Sequence, residues 1–278
     1  EYNGGGLLVT SVFLLTTTTI SVALRFFIRI RITKGLEWDD WLMLISQGIF
    51  VTSCTFILLG LRFGMGHHNA FLPVPQQVEA LKYQVLATMT YIADMMFIKL
   101  SIGFFLLRLA IQRRYAYILW TTMVIVFIWS AVLFFWDVFL CTPVAAQWDF
   151  RILDQTCASP EAQISAAYSL SVLCILTDWL YALLPIAIIW SIQMDLTKRL
   201  AVVCILALGV FASVATIIRL TFLANLVEVD DILFAGTDPM IWTLVEPGVA
   251  IIAGSLVTIR PLLRAFGCPG FRTRTSMY

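Results

Sequence analysis

Residues 116–140 read AYILWTTMVIVFIWSAVLFFWDVFL, a run with one charged side chain, Asp137, and with Arg113 and Arg114 just ahead of it. A helix needs about 20 largely apolar residues to cross a hydrocarbon layer roughly 30 Å thick, where its backbone must satisfy its own hydrogen bonds. The stretch reads as a membrane-spanning helix. Working outward from it, further apolar runs lie near 6–30, 40–61, 82–110, 162–192, 200–227 and 239–262, separated by Gly, Pro or charge clusters. With 60% hydrophobic and 13% charged residues, the 278 positions would leave a soluble domain short of polar surface. The expected fold class is an all-α membrane protein, a seven-transmembrane helix bundle occupying 1–278 as a single domain. The chain has no initiating Met and no signal-like leader, which predicts a trimmed N-terminus.

Charge gives the bundle a direction. Arg29, Arg31 and Lys34 follow the first run, Arg108, Arg113 and Arg114 the third, Lys198 and Arg199 the fifth, and Arg260, Arg264, Arg272 and Arg274 the seventh. The alternate loops carry only Arg62, Lys82 and Arg151, and the loop before the seventh run has Glu228, Asp230, Asp231 and Asp238. Basic loops stay in the cytoplasm, so the expected orientation is N-terminus outside and C-terminus cytoplasmic. A net charge of +1, segregated in this way, argues against nucleic acid as a partner and for the lipid bilayer.

Topology sorts the cysteines. Cys54, Cys174 and Cys204 fall within spans as small packing groups. Cys141 and Cys157 share an outward loop in an oxidising compartment and are the expected disulfide. Cys268, past the last span, reads as an unmodified thiol or a palmitoylation site. No CxxC pair or His and Cys cluster has metal-ligand spacing, so no metal site is expected. His67 and His68, adjacent in an outward loop, read as a loop cap or as groups responding to extracellular pH.

Ionisable side chains inside a bilayer are costly and each requires a reason. Asp94, Lys99, Asp178, Arg219 and Glu246 fall there. Their depths suggest an outer cluster of Arg219 with Glu246 and Asp94, and a deeper ion pair of Lys99 with Asp178. The outer cluster, joined by Trp242 one turn from Glu246, is the candidate ligand pocket, with helix-fixing latches as the alternative reading. Asp94 and Lys99 lie on different faces of the third span, which predicts a central helix with polar groups on two sides. Pro185 and Pro247 are candidate kink sites. Trp38, Trp41, Trp120, Trp136, Trp148 and Trp242, near span ends, read as an interfacial belt.

The ordered set of Arg25 and Arg29, Asp39-Asp40-Trp41, GMGHH at 64–68, KLSIGFFLLRL from Lys99, CTPVAAQW with Cys157, Asp178 with Pro185, Arg219, and the string from Trp242 and Glu246 to TIRPLL resembles the fungal rhodopsin-domain family of integral membrane proteins. That group includes the Pth-type G-protein-coupled-receptor-like proteins of filamentous fungi. The resemblance covers essentially the whole chain, with Val257 standing where the family's proline is expected. It implies a seven-helix receptor-like fold. Retinal attachment through a Schiff base would need a lysine in the seventh span, and none is present, so no cofactor is expected. The NPxxY string of animal rhodopsin-like receptors is also missing.

These readings lead to a non-enzymatic, receptor-like protein, expected in the plasma membrane, that senses an unknown extracellular ligand. Arg108, Arg113, Arg114, Lys198 and Arg199 would contact a cytoplasmic partner such as a G protein. A solute or proton-coupled transporter using the buried ionic residues is the alternative. Neither GxSxG nor HExxH is present to support a hydrolase.

Overall fold

The computed structural model describes residues 2–110, 112–189, 209–222 and 231–257. Lys198, Arg199, Cys204, Glu228, Asp230, Arg260, Arg264, Cys268, Arg272 and Arg274 lie outside the described residues.

Helix α1 spans Gly4–Ile28 and widens into a π turn over Arg29–Thr33. Helix α2, Trp38–Phe63, opens with a capping box in which the Glu37 backbone N–H donates to Asp40 at 3.1 Å and the Glu37 side chain accepts from the first turn. It stops at Gly64, whose φ of 114° suits glycine, and Gly66 follows at 92°. A Cβ on Gly66 would meet the Gly4 backbone at 2.7 Å, because the loop passes directly against the N-terminus and Asn3 N–H donates to the Gly66 carbonyl at 3.0 Å. Close approach and positive φ thus account for both glycines of GMGHH.

Helix α3, Val74–Leu109, starts at the prolines around residue 74, well before the expected residue 82. Prolines are tolerated in a first turn, whose N–H groups have no helical partner anyway. Its 36 residues rise about 54 Å, so the helix extends beyond the hydrocarbon layer or tilts within it. Helix α4 is Arg113–Val138, α5 Pro160–Ile189, α6 Gly209–Phe222, and α7 Thr237–Val257, preceded by one helical turn at Ile232–Ala235. Between α4 and α5, Cys141–Thr142 pairs antiparallel with Thr156–Cys157, and the Cys141–Cys157 disulfide closes the ladder.

Among the described residues six helices are long and apolar enough to cross a membrane, and α6 is a shorter apolar one. The protein is an all-α integral membrane protein. On α4 the buried residues Leu119, Met123, Val126 and Ser130 fall at helical spacing. Exposed Val124, Ile128, Val132 and Phe135 cover other faces with hydrocarbon, as a lipid-facing surface requires. Trp38, Trp41 and Trp120 are exposed near helix ends, whereas Trp136 lines a cavity. Helix α3 packs against α2, α4, α5 and α7. Apolar packing among Leu14, Phe50, Ile98, Leu244 and Ile251 surrounds the polar groups described next.

Candidate functional site

The end of the bundle that carries the disulfide opens into a cavity of about 180 Å³ between α3, α4, α5, α6 and α7. Gln84, Asp137 and Gln163 stand at its mouth, Leu133 and Leu170 on its walls, and Tyr91 and Arg219 at its base. Gln84, Thr88, Asp137 and Gln163 also line a shallower hollow of about 480 Å³ beneath the disulfide loop, so the two spaces adjoin.

Arg219 and Glu246 meet at the base, both almost fully buried, with Nε and Oε2 3.7 Å apart. That separation is an ion pair but exceeds hydrogen-bonding range. Glu246 is satisfied by other groups: Tyr91 Oη donates to Oε2 at 2.8 Å, and the Thr216 hydroxyl lies 2.7 Å from Oε1. The guanidinium stacks over the Tyr91 ring at 4.7 Å and donates from Nη2 to Ser171 at 3.0 Å. Arg219 Nε has no hydrogen-bond partner among the described residues. Four helices contribute to this cluster, with Tyr91 from α3, Ser171 from α5, Thr216 and Arg219 from α6 and Glu246 from α7, so its geometry reports on their relative placement.

Asp94, expected here, does not join it. One turn deeper than Tyr91, it faces α2 and accepts from Ser46 at 2.5 Å. Trp242 does not line the cavity either. Pro239, Met240 and Thr243 supply the α7 wall, and at about 100° per residue Trp242 lies outside their arc.

On the far side of the cluster, Glu246 lines a second cavity of about 90 Å³ together with Arg25, Ser101, Asp178 and Tyr181. The Lys99 ammonium contacts the Asp178 carboxylate and donates to the Cys174 carbonyl at 3.2 Å. Asp178 Oδ2 and Tyr181 Oη are buried without hydrogen-bond partners among the described residues. The Arg219–Glu246 pair therefore stands between two cavities.

Deeper still is a cluster that reasoning about bilayer charges missed. Arg25 donates to Asp39 at 2.5 Å, to Asp40 at 2.8 Å and to the Gly254 carbonyl at 2.7 Å. Arg29 reaches the same two carboxylates at 3.1 and 3.2 Å. All four side chains are buried, and Ser101 donates to the Asp39 carbonyl at 2.7 Å. The cluster ties α1, α2, α3 and α7 together at the end opposite the disulfide. Its signal in the sequence is Arg25 one turn before Arg29, the two ending the first apolar run, followed by the Asp pair opening the second.

Of the basic contact residues, Arg108 is ion-paired with Glu37 at 2.8 Å, and Arg113 and Arg114 are exposed. At the disulfide end, His68 Nδ1 lies 2.8 Å from Asp231, Asn69 N–H donates to the same carboxylate at 2.6 Å, and Phe234 stacks on the His68 ring at 4.0 Å. Those two hydrogen bonds hold the Asp231 carboxyl below its ordinary pKa. His67 instead lies against Tyr2, with ring centroids 4.7 Å apart. The paired histidines thus have different surroundings, and among the described residues no three His, Cys, Asp or Glu side chains converge as a metal-ion set.

The fold and this interior define a helical integral membrane protein whose helices meet through buried ion pairs. Residues 24–265 match the fungal rhodopsin domain, and the chain belongs to that family. It is also similar to the Polyenoic acids biosynthesis gene cluster protein Ba17b of Metarhizium anisopliae, at 29% identity over 282 residues, which cover 97% of this chain and 76% of that protein. No solved structure matches.

Proposed function

We propose that this protein is a non-enzymatic, receptor-like member of its family: a seven-helix bundle in the fungal plasma membrane, N-terminus outside, sensing an extracellular cue. The observation that carries the reading is the cavity at the disulfide end, with Arg219, Glu246 and Tyr91 at its base. Disulfides belong to the oxidising side of a membrane, and the distribution of basic residues supports the same orientation. A ligand seated on Arg219 touches a cluster shared by four helices. Its differential affinity for two helix arrangements would shift their populations. Exposed Arg113 and Arg114 supply basic side chains, to which the sequence adds Lys198 and Arg199 after the fifth run, a set suited to an acidic cytoplasmic partner such as a G protein or to anionic lipid. The test is nucleotide exchange on a purified fungal G-protein α-subunit with this protein in lipid nanodiscs. Exchange that rises with the protein and falls in Arg113→Ala/Arg114→Ala supports coupling. Well-folded protein without effect opposes it.

A specific observation favours a second reading. The Arg219–Glu246 pair separates two cavities, an arrangement that suits alternating access in a proton-coupled carrier. Solute flux in proteoliposomes that disappears in Glu246→Gln would favour transport, and flux equal to that of empty liposomes would reject it.

A further inference from the structure

We infer that the cavity at the disulfide end binds a monocarboxylate with an apolar body, its carboxylate on Arg219 and its body between Leu133, Leu170 and Met240. The inference rests on the reading of this cavity as the ligand site and names the chemistry it selects.

A guanidinium has five N–H donors. Among the described residues Arg219 makes one hydrogen bond, to Ser171, and its Nε is buried without a partner. Glu246 does not use the remaining donors, since its hydrogen bonds come from Tyr91 and Thr216 and its approach to Arg219 stays at 3.7 Å. The base therefore offers unspent, charged donors to an acceptor entering from above, and such charge-assisted bonds are the strong ones.

Arg219 and Glu246 together are neutral, so one carboxylate adds a single negative charge beside Glu246. A dianion would add two, in a setting where unpaired buried charge is costly. At the mouth stands Asp137, half-buried and without an ion-pair partner among the described residues. Its charge disfavours a second acidic group at the ligand's other end, a repulsive element that sharpens selectivity.

From Gln84 at the mouth to Tyr91 at the base is seven residues along α3, or about 10 Å. Ile92, Leu133, Leu170 and Met240 supply apolar wall over that depth. The space suits a short extended chain or a small ring with one acid group.

The experiment is calorimetric titration of the full chain in lipid nanodiscs with octanoate, 1-octanol and suberate, subtracting empty nanodiscs to remove partition into lipid. Octanoate is expected to bind at least about ten-fold more tightly than either of the others, the size of effect a charge-assisted hydrogen bond gives. Ala167→Phe, which fills the cavity from α5 and leaves the residues of the ion pair themselves in place, should abolish saturable octanoate binding, and Asp137→Asn should bring suberate to within about three-fold of octanoate. Arg219→Gln should lose octanoate binding while the thermal unfolding transition remains cooperative. Equal binding of 1-octanol and octanoate, octanoate binding that survives Ala167→Phe, or no saturable octanoate binding overturns the inference. Octylammonium is the further probe: binding that is sensitive to Ala167→Phe, in place of octanoate, overturns the monocarboxylate and leaves the cavity standing as a ligand site. Coupling to a partner is read separately by nucleotide exchange.

Discussion

Replacing Asp39 by Asn should destabilise the bundle more than almost any other single isosteric change. Asp39 Oδ2 receives Arg25 at 2.5 Å and Arg29 at 3.1 Å, and its residue is 3% exposed. Two guanidinium groups and two carboxylates make the cluster neutral. Asn keeps the shape but leaves one positive charge buried and uncompensated. Removing one partner of a buried ionic cluster costs roughly 3–5 kcal/mol. Arg29→Gln in the same background restores neutrality while Arg25 keeps Asp40 and the Gly254 carbonyl, so the double variant should recover at least half of the loss. The assay is equilibrium unfolding by denaturant in mixed micelles, read by circular dichroism and run as a double-mutant cycle. An Asp39→Asn protein as stable as wild type, or a double variant as unstable as the sum of the singles, would show that the four charges do not hold the helices together.

Asp178→Asn should likewise strand the Lys99 ammonium at a loss of roughly 3–5 kcal/mol, and adding Lys99→Met should restore part of it in the same unfolding assay. Cys141→Ser opens a loop of sequence separation 16 and should cost about 3 kcal/mol by chain entropy, with no change on adding Cys157→Ser; a further loss in the double variant would contradict the pairing. The Asp231 contact has a defined pH response. A folded carboxyl held below its ordinary value of 3.8 contributes stability above that value and loses it as pH falls through the lower folded pKa. Hydrogen exchange over residues 67–72, corrected for intrinsic rates, should therefore lose protection as pH falls below about 4. Asp231→Asn should raise exchange there above about pH 4, where the wild-type carboxylate is charged, and no effect of that substitution at neutral pH would sink the assignment.

The six spanning helices found among the described residues were legible because the bilayer imposes a composition on every residue facing it, and 116–140 carries that composition nearly undiluted. The start of α3 was not, since Glu79 and Lys82 look like loop charges while the helix simply continues past the apolar layer from Pro73. Depth along a helix can be counted from sequence, which is why Arg219 and Glu246 could be grouped and Lys99 matched to Asp178. Azimuth is harder to count. Asp94 has the depth of the outer cluster but faces Ser46 on α2, and Trp242 flanks the cavity without lining it. The Arg25, Arg29, Asp39 and Asp40 cluster escaped because charges at span ends are assumed to sit in water. The π turn at Arg29–Thr33 and the capping box at Glu37 instead fold both pairs inward, where α7 supplies the Gly254 carbonyl. Tyr91, Thr216 and Ser171 are hydroxyls whose role appears only once Arg219 and Glu246 have positions.

The most direct test of the account is labelling of Gln163→Cys, at the mouth of the cavity, by a membrane-impermeant maleimide on intact cells, with Arg113→Cys as the opposite-face control and Cys204 and Cys268 replaced by Ser. An outward-facing sensing cavity requires Gln163→Cys to label without permeabilisation and Arg113→Cys to label only after it. The reverse pattern would place the cavity on the cytoplasmic side and contradict the proposal that it reads an extracellular cue.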